Sequence, residues 1–146
     1  MEIIESVTIF SEMDRVWDIF TDLACWNQWN HSMKEAARPE GCYFISEGQR
    51  LSLQITLYAM PFSIRPMVEC VVPHDQVVWS ARKFGVLAKH EFLFSDMGGA
   101  VQVVSRERFA GLRPFLMMLP KVRIRRITAA MLRELKVKAE SYLPTS

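Results

Sequence analysis

Apolar residues recur along this chain with two different periods. From Val16 to Leu23 they follow helical spacing, with Val16, Trp17, Ile19, Phe20 and Leu23 on one face. Ser11-Glu12-Met13-Asp14 precedes them, so Ser11 is the expected N-cap and the acids fall in the first turn. Residues 1–10 alternate weakly and predict a first strand. A second short helix is expected over 24–31, where Trp26 and Trp29 lie three apart and share a side. Residues 33–46 are less regular and offer one further strand. Over 50–110 the period falls to two and predicts five strands, at 50–59, 62–72, 76–83, 86–95 and 100–110. Short connections make consecutive strands antiparallel neighbours. From Leu112 the helical period returns through Phe115, Leu116, Leu119, Ile124, Ile127, Met131, Leu135 and Tyr142. The expected long C-terminal helix bends near Pro120. Helices on one side of an antiparallel sheet make an α+β fold of two layers.

Alternation divides the sheet into two faces. Turn lengths set Trp79 opposite His90, His90 opposite Ser105, Leu57 opposite Ile64 and Cys70 opposite Trp79. The face holding Leu53, Val68, Cys70, Trp79, Phe92, Phe94, Val103 and Phe109 is nearly all apolar, and the C-terminal helix is its expected cover. The other face carries Gln54, Arg65, Glu69, Lys89, Arg106 and Arg108 and is expected to be wet. On the dry face only His90, Ser105 and Glu107 are clearly polar. A buried carboxylate is costly unless it is paired or hydrated. Either His90 and Glu107 satisfy each other as a stitch between strands, or they line a cavity that holds water or ligand. Burial lowers a histidine pKa and a neighbouring carboxylate raises it, so the two effects oppose.

Composition bounds the remaining possibilities. The chain has 146 residues, half of them hydrophobic, and a formal net charge of +2. This is the size of one domain, expected to span 1–146, with a core that needs no staple. Disorder and a dedicated nucleic-acid binder are disfavoured. No apolar run approaches the ~20 residues of a membrane span. The acidic start, Met1-Glu2-Ile3-Ile4-Glu5, is unlike a secretory signal. The three cysteines, Cys25, Cys42 and Cys70, are widely spaced, so buried thiols and a cytoplasmic location are expected. No metal or cofactor pattern is present, and none of either is expected.

The layout resembles the helix-grip fold of the START-like (SRPBCC) superfamily, in its polyketide cyclase/dehydrase-like branch. The resemblance rests on Val16-Trp17-Asp18-Ile19-Phe20-Thr21-Asp22 followed by Trp26 and Trp29-Asn30, then on Val78-Trp79, His90-Glu91-Phe92-Leu93-Phe94, Gly98-Gly99 and Glu107-Arg108-Phe109-Ala110-Gly111. The ending Leu132-Arg133-Glu134-Leu135-Lys136 through Glu140 completes it. It implies a curved sheet gripping a long helix, with an apolar cavity between them. It transfers no catalytic residues, and fold alone does not give function.

Three functions follow as expectations. The first is binding of a small hydrophobic molecule such as a lipid or polyketide. Trp79, Phe92, Phe94, Val103, Phe109, Leu116 and Leu119 would supply apolar contacts, and His90, Ser105 and Glu107 polar ones. The second is a cyclase- or dehydratase-type enzyme, with His90 as general base and Glu107 orienting it or acting as acid. The third is a protein-interaction module without ligand. Lys121, Arg123, Arg125 and Arg126 form a basic cluster that fits weak contact with an anionic membrane or simply a solvated helix face. Ligand identity, turnover and oligomeric state stay open.

Overall fold

A computed structural model describes residues 1–35, 44–57 and 59–141. Its strands are β1 (Glu2–Ile9), β2 (Lys34–Glu35), β3 (Leu53–Leu57), β4 (Met60–Ile64), β5 (Met67–Val72), β6 (Gln76–Lys83), β7 (Val86–Asp96) and β8 (Val101–Gly111). Its α-helices are α1 (Met13–Thr21), α2 (Trp26–Trp29), α3 (Arg113–Met117) and α4 (Lys121–Glu140), with a 3₁₀ turn at Leu23–Cys25. One antiparallel sheet has the order β1-β8-β7-β6-β5 and a second the order β2-β3-β4. An isolated bridge between Arg50 and Met67 joins the two. This is the expected α+β architecture, a curved antiparallel sheet with a long C-terminal helix across it.

Several local expectations are corrected. The predicted strand 62–72 is two strands, interrupted at Arg65-Pro66, because proline cannot donate to a ladder. The C-terminal helix is not one bent rod. Helix α3 closes at its C-cap Met118, and Pro120 stands at the N-cap of α4. Ser11 does not cap α1, whose N-cap is Glu12 without a side-chain hydrogen bond. Cys42 and Tyr142 lie outside the described residues.

Register shows why the faces survive errors in pairing. Trp79 does sit opposite His90. His90, however, faces Glu107, and Ser105 faces Phe92, because the β7–β8 loop occupies four residues, Met97–Ala100. Ile64 pairs with Leu53, not Leu57. These shifts are even, so each side chain keeps its side of the sheet. A bulge between Val68 and Cys70 is different. It puts Val68 opposite Trp79 and Cys70 opposite Val78, so Val71, not Cys70, packs inward.

The core concentrates at one end. Phe20 of α1 lies 4.7 Å from Phe92 and 5.3 Å from Phe94, ring centre to ring centre, and Trp26 lies 6.2 Å from Trp79. The buried residues of α4 all fall in its later part: Thr128, Met131, Leu132, Leu135 and Ala139. That end is also tied by polar bonds. Arg15 donates to the carbonyls of Ala139 and Lys138 at 2.8 and 3.1 Å, answering acceptors that a helix C-terminus leaves open. Glu134 accepts from the backbone N–H of His31 and Ser32, and Glu140 accepts from the Phe10 N–H at 2.8 Å. Hydrogen bonds from Lys136 and the Phe10 N–H hold the Glu140 carboxyl below its ordinary pKa. Over 121–127, by contrast, α4 buries no residue fully. The helix is seated at one end and spans open space at the other.

Leu135→Ala is therefore expected to cost ~2–5 kcal/mol of unfolding free energy. Val137→Ala, on the exposed side of the same turn, is expected to cost less than ~0.5 kcal/mol. Urea denaturation of the two variants checks the contrast.

Candidate functional site

The open space beneath the first part of α4 is a cavity of about 620 Å³. Strands β3, β4, β6, β7 and β8 form its floor and wall. Helix α3 and the start of α4 form its roof. Ile55, Leu57, Phe62, Ala81, Ala88 and Ile127 are among the side chains that line it, so most of its wall is apolar. A site of this size with few polar groups suits a small organic molecule. A second groove, of about 690 Å³, lies on the outer, wet face among Arg50, Arg65, Glu69 and Arg82. Two of its charges have partners on the same face: Glu69 accepts from Ser80 at 2.7 Å and lies 3.6 Å from Lys89, and Arg50 donates to the Arg65 carbonyl at 2.8 Å.

One end of the inner cavity is polar. His90 on β7 and Glu107 on β8 are direct cross-strand partners, and both reach it. Thr128 of α4 closes over them and donates to Glu107 Oε1 at 2.5 Å. His90 Nε2 shares a hydrogen bond of 2.6 Å with Ser105 Oγ and lies 3.8 Å from Glu107 Oε1. The imidazole stacks on Phe92, with ring centres 4.0 Å apart, and meets the edge of Trp79 at 5.5 Å. Burial in this aromatic setting pushes the His90 pKa below its ordinary value. Glu107 and Glu91 push it upward by a smaller amount. Burial thus favours the uncharged imidazole beside the carboxyl group of Glu107. Among the described residues, no side chain donates to its second oxygen, Oε2. A carboxylate can accept about four hydrogen bonds, so it retains acceptor capacity toward the cavity.

The opposite end is the mouth. The β6–β7 turn places Phe84 and Gly85 at φ of 51° and 75°, the conformation of a tight hairpin turn. Gly85 is favoured there on a second ground. A Cβ at this position would stand 3.2 Å from the Phe115 ring, which packs down from α3. Lys83 donates to the Ser63 carbonyl, and its ammonium lies 4.3 Å from the centre of the Phe62 ring. These contacts bring the β3–β4 turn, the β6–β7 turn and α3 together around one opening.

The structure sorts the expected site residues into two sets. Trp79, His90, Glu107, Phe109 and Leu119 line the cavity. Phe92, Phe94 and Val103 do not, because α1 and its Phe20 close the core over that part of the sheet. Ser105 is fully buried and touches the site only through His90. Leu116 packs against the cluster of Ile3, Val86 and Phe109 behind the wall. Thr128 escaped the sequence reading. Its signal was a hydroxyl on the apolar face of α4, between Ile124 and Met131. Met33, Met60 and Met118 also line the cavity. Among the described residues no cluster of His, Cys, Asp or Glu could hold a metal ion.

No protein-family model and no curated protein sequence matches the chain. Solved structures do. Norcoclaurine synthase from Thalictrum flavum superposes with a TM-score of 0.79 at 12% identity, over 99% of this chain and 89% of that one. A hypothetical protein from Helicobacter pylori gives 0.77 at 14% identity, over 95% and 88%. A START superfamily protein from Mycobacterium smegmatis gives 0.66 at 12% identity, over 96% and 97%.

The depressed His90 pKa has a consequence for stability. The unfolded chain takes up a proton at this residue below about pH 6.5, before the folded protein does. The folded state is therefore expected to lose stability as pH falls from 7 to 5, and His90→Gln is expected to lose less over the same interval. Urea midpoints of both proteins at the two pH values test this; equal losses would remove His90 as the cause. The superpositions and the seating of α4 agree on one conclusion: the chain has the START-like helix-grip fold.

Proposed function

We propose that the protein binds a small, largely apolar molecule carrying a hydrogen-bond donor. The observation that carries this reading is the cavity of about 620 Å³ with Glu107 at its inner end. The apolar wall favours a hydrophobic body, through burial worth roughly 25 cal/mol per Å². Thr128 occupies one oxygen of Glu107. A hydroxyl, amine or amide N–H on the ligand would take the other. Lipids, polyketides and aromatic alcohols meet this description. The norcoclaurine synthase structure contains dopamine and hydroxybenzaldehyde, so a protein of this fold accommodates small aromatic molecules. A reducing, cytoplasmic setting suits the free thiol of Cys70.

A second reading is an enzyme of cyclase or dehydratase type. It is favoured by one observation: an imidazole and a carboxyl group 3.8 Å apart at the inner end of an apolar cavity, with burial lowering the imidazole pKa. His90 would accept a proton from the bound molecule, and Glu107 would steady the resulting charge. Such acid–base groups contribute typically ~10²–10⁴-fold in rate. The readings part on the fate of the ligand. A molecule recovered unchanged after incubation supports carriage, and one recovered with altered mass supports turnover.

Calorimetry with a medium-chain fatty alcohol and the methyl ketone of equal length tests the binding reading. Both should bind the wild type. Ala88→Phe fills the cavity and is expected to weaken both by roughly tenfold or more, without loss of thermal stability. Glu107→Leu removes the acceptor. It is expected to weaken the alcohol roughly tenfold or more, as loss of a hydrogen bond to a charged group does, and to change the ketone little. Unchanged binding in Ala88→Phe would sink the cavity as the site, and equal losses for both probes in Glu107→Leu would sink the role of Glu107.

A further inference from the structure

The mouth of the cavity is ringed by apolar side chains that stand in solvent. Met60 on β4, Phe84 in the β6–β7 turn, and Leu112, Met117, Met118 and Val122 around α3 and the start of α4 are each 65–78% exposed. Met60, Phe84 and Met118 also line the opening itself. Scattered exposed apolar residues are ordinary on a protein surface, but here they gather at one place. They come from three separate turns that Phe115, Gly85, Phe62 and Lys83 hold together. They form a collar around the cavity mouth.

Charge at this end is one-sided. The segments 59–64, 82–86 and 112–123, which build the collar, contain no Asp or Glu. They carry Arg82, Lys83, Arg113, Lys121 and Arg123. The whole chain is close to balanced, with 18 basic and 16 acidic residues. The segments that bear the exposed apolar side chains therefore carry five cations and no carboxylate. Flexible Met, Phe and Leu side chains flanked by Lys and Arg form the chemistry of a surface that enters the headgroup region of an anionic bilayer.

We propose that this collar docks the protein on an anionic lipid bilayer, with the cavity mouth facing the membrane. Leu112, Met117, Met118 and Phe84 enter the boundary between headgroups and acyl chains. Arg113 and Lys121 pair with lipid phosphates. An apolar molecule can then pass between bilayer and cavity without crossing water. Docking itself needs only the exposed collar, so it stands apart from the identity of any ligand.

The test is co-sedimentation of the full chain with two kinds of large vesicle: phosphatidylcholine alone, and phosphatidylcholine with about one-third phosphatidylglycerol. The variants avoid every residue that lines the cavity. Wild type is expected to bind the anionic vesicles, more weakly as salt rises, and the neutral ones far less. Arg113→Gln and Lys121→Gln are each expected to lower the partition constant about fivefold. Leu112→Ser combined with Met117→Ser is expected to lower it roughly tenfold or more. Circular dichroism should report a native fold for all of them. Equal binding to both vesicles, or binding of the variants at wild-type strength, overturns the proposal. So does concentration-dependent dimerisation that the Leu112/Met117 double variant abolishes, with no vesicle binding by the wild type, since the collar would then be covered by a second copy of the chain.

Discussion

The uneven seating of α4 is the constraint on which the remaining features depend. Met131, Leu132, Leu135 and Ala139 press its later part into the core, and Arg15, Glu134 and Glu140 tie that part to the opposite layer. Over 121–127 no residue is fully buried; Ile124 packs at the edge of the Ile3–Val86–Phe109 cluster, and Arg125 lies 3.5 Å from Glu5 at the half-exposed surface. Pro120 then stops the helix from continuing backward, and α3 is free to turn toward the β6–β7 hairpin. A sheet that curves beneath a helix seated at one end encloses space at the other. The cavity is thus a consequence of where the fully buried residues of α4 stop.

The polar end of the cavity sits at the boundary between these two regimes. Thr128 is the first fully buried residue of α4, and its hydroxyl meets Glu107 where the helix leaves the sheet. Ser105 and His90 extend the same set into the closed core. Isolated polar groups there would be expensive to bury. As a connected set they satisfy one another in part and retain acceptor capacity at Glu107 Oε2. Stability and recognition therefore draw on the same side chains.

Much of this was readable from the chain. Alternation in β6, β7 and β8 placed Trp79, His90, Glu107 and Phe109 on one face, and even register errors left that face intact. The bulge at Glu69 was not readable, since one extra residue leaves no mark on composition, and it turned Cys70 away from Trp79. Periodicity also could not divide the dry face into core and cavity. Phe92 and Phe109 look alike in sequence, yet Phe20 covers the former and the latter faces the cavity. That division depends on α1 packing across the sheet, a long-range contact. Thr128 was hidden for the same reason: a hydroxyl on an apolar helix face gains its meaning only from Glu107 on a distant strand.

The central claim is that the space between the sheet and the start of α4 holds a molecule. Native mass spectrometry of freshly purified protein, followed by solvent extraction, tests this most directly. A defined adduct that is lost on denaturation, and that Ala88→Phe lacks, is the predicted result. Bare protein that also fails to take up added long-chain alcohols or aromatic amines would contradict the account and leave the cavity as unfilled packing space.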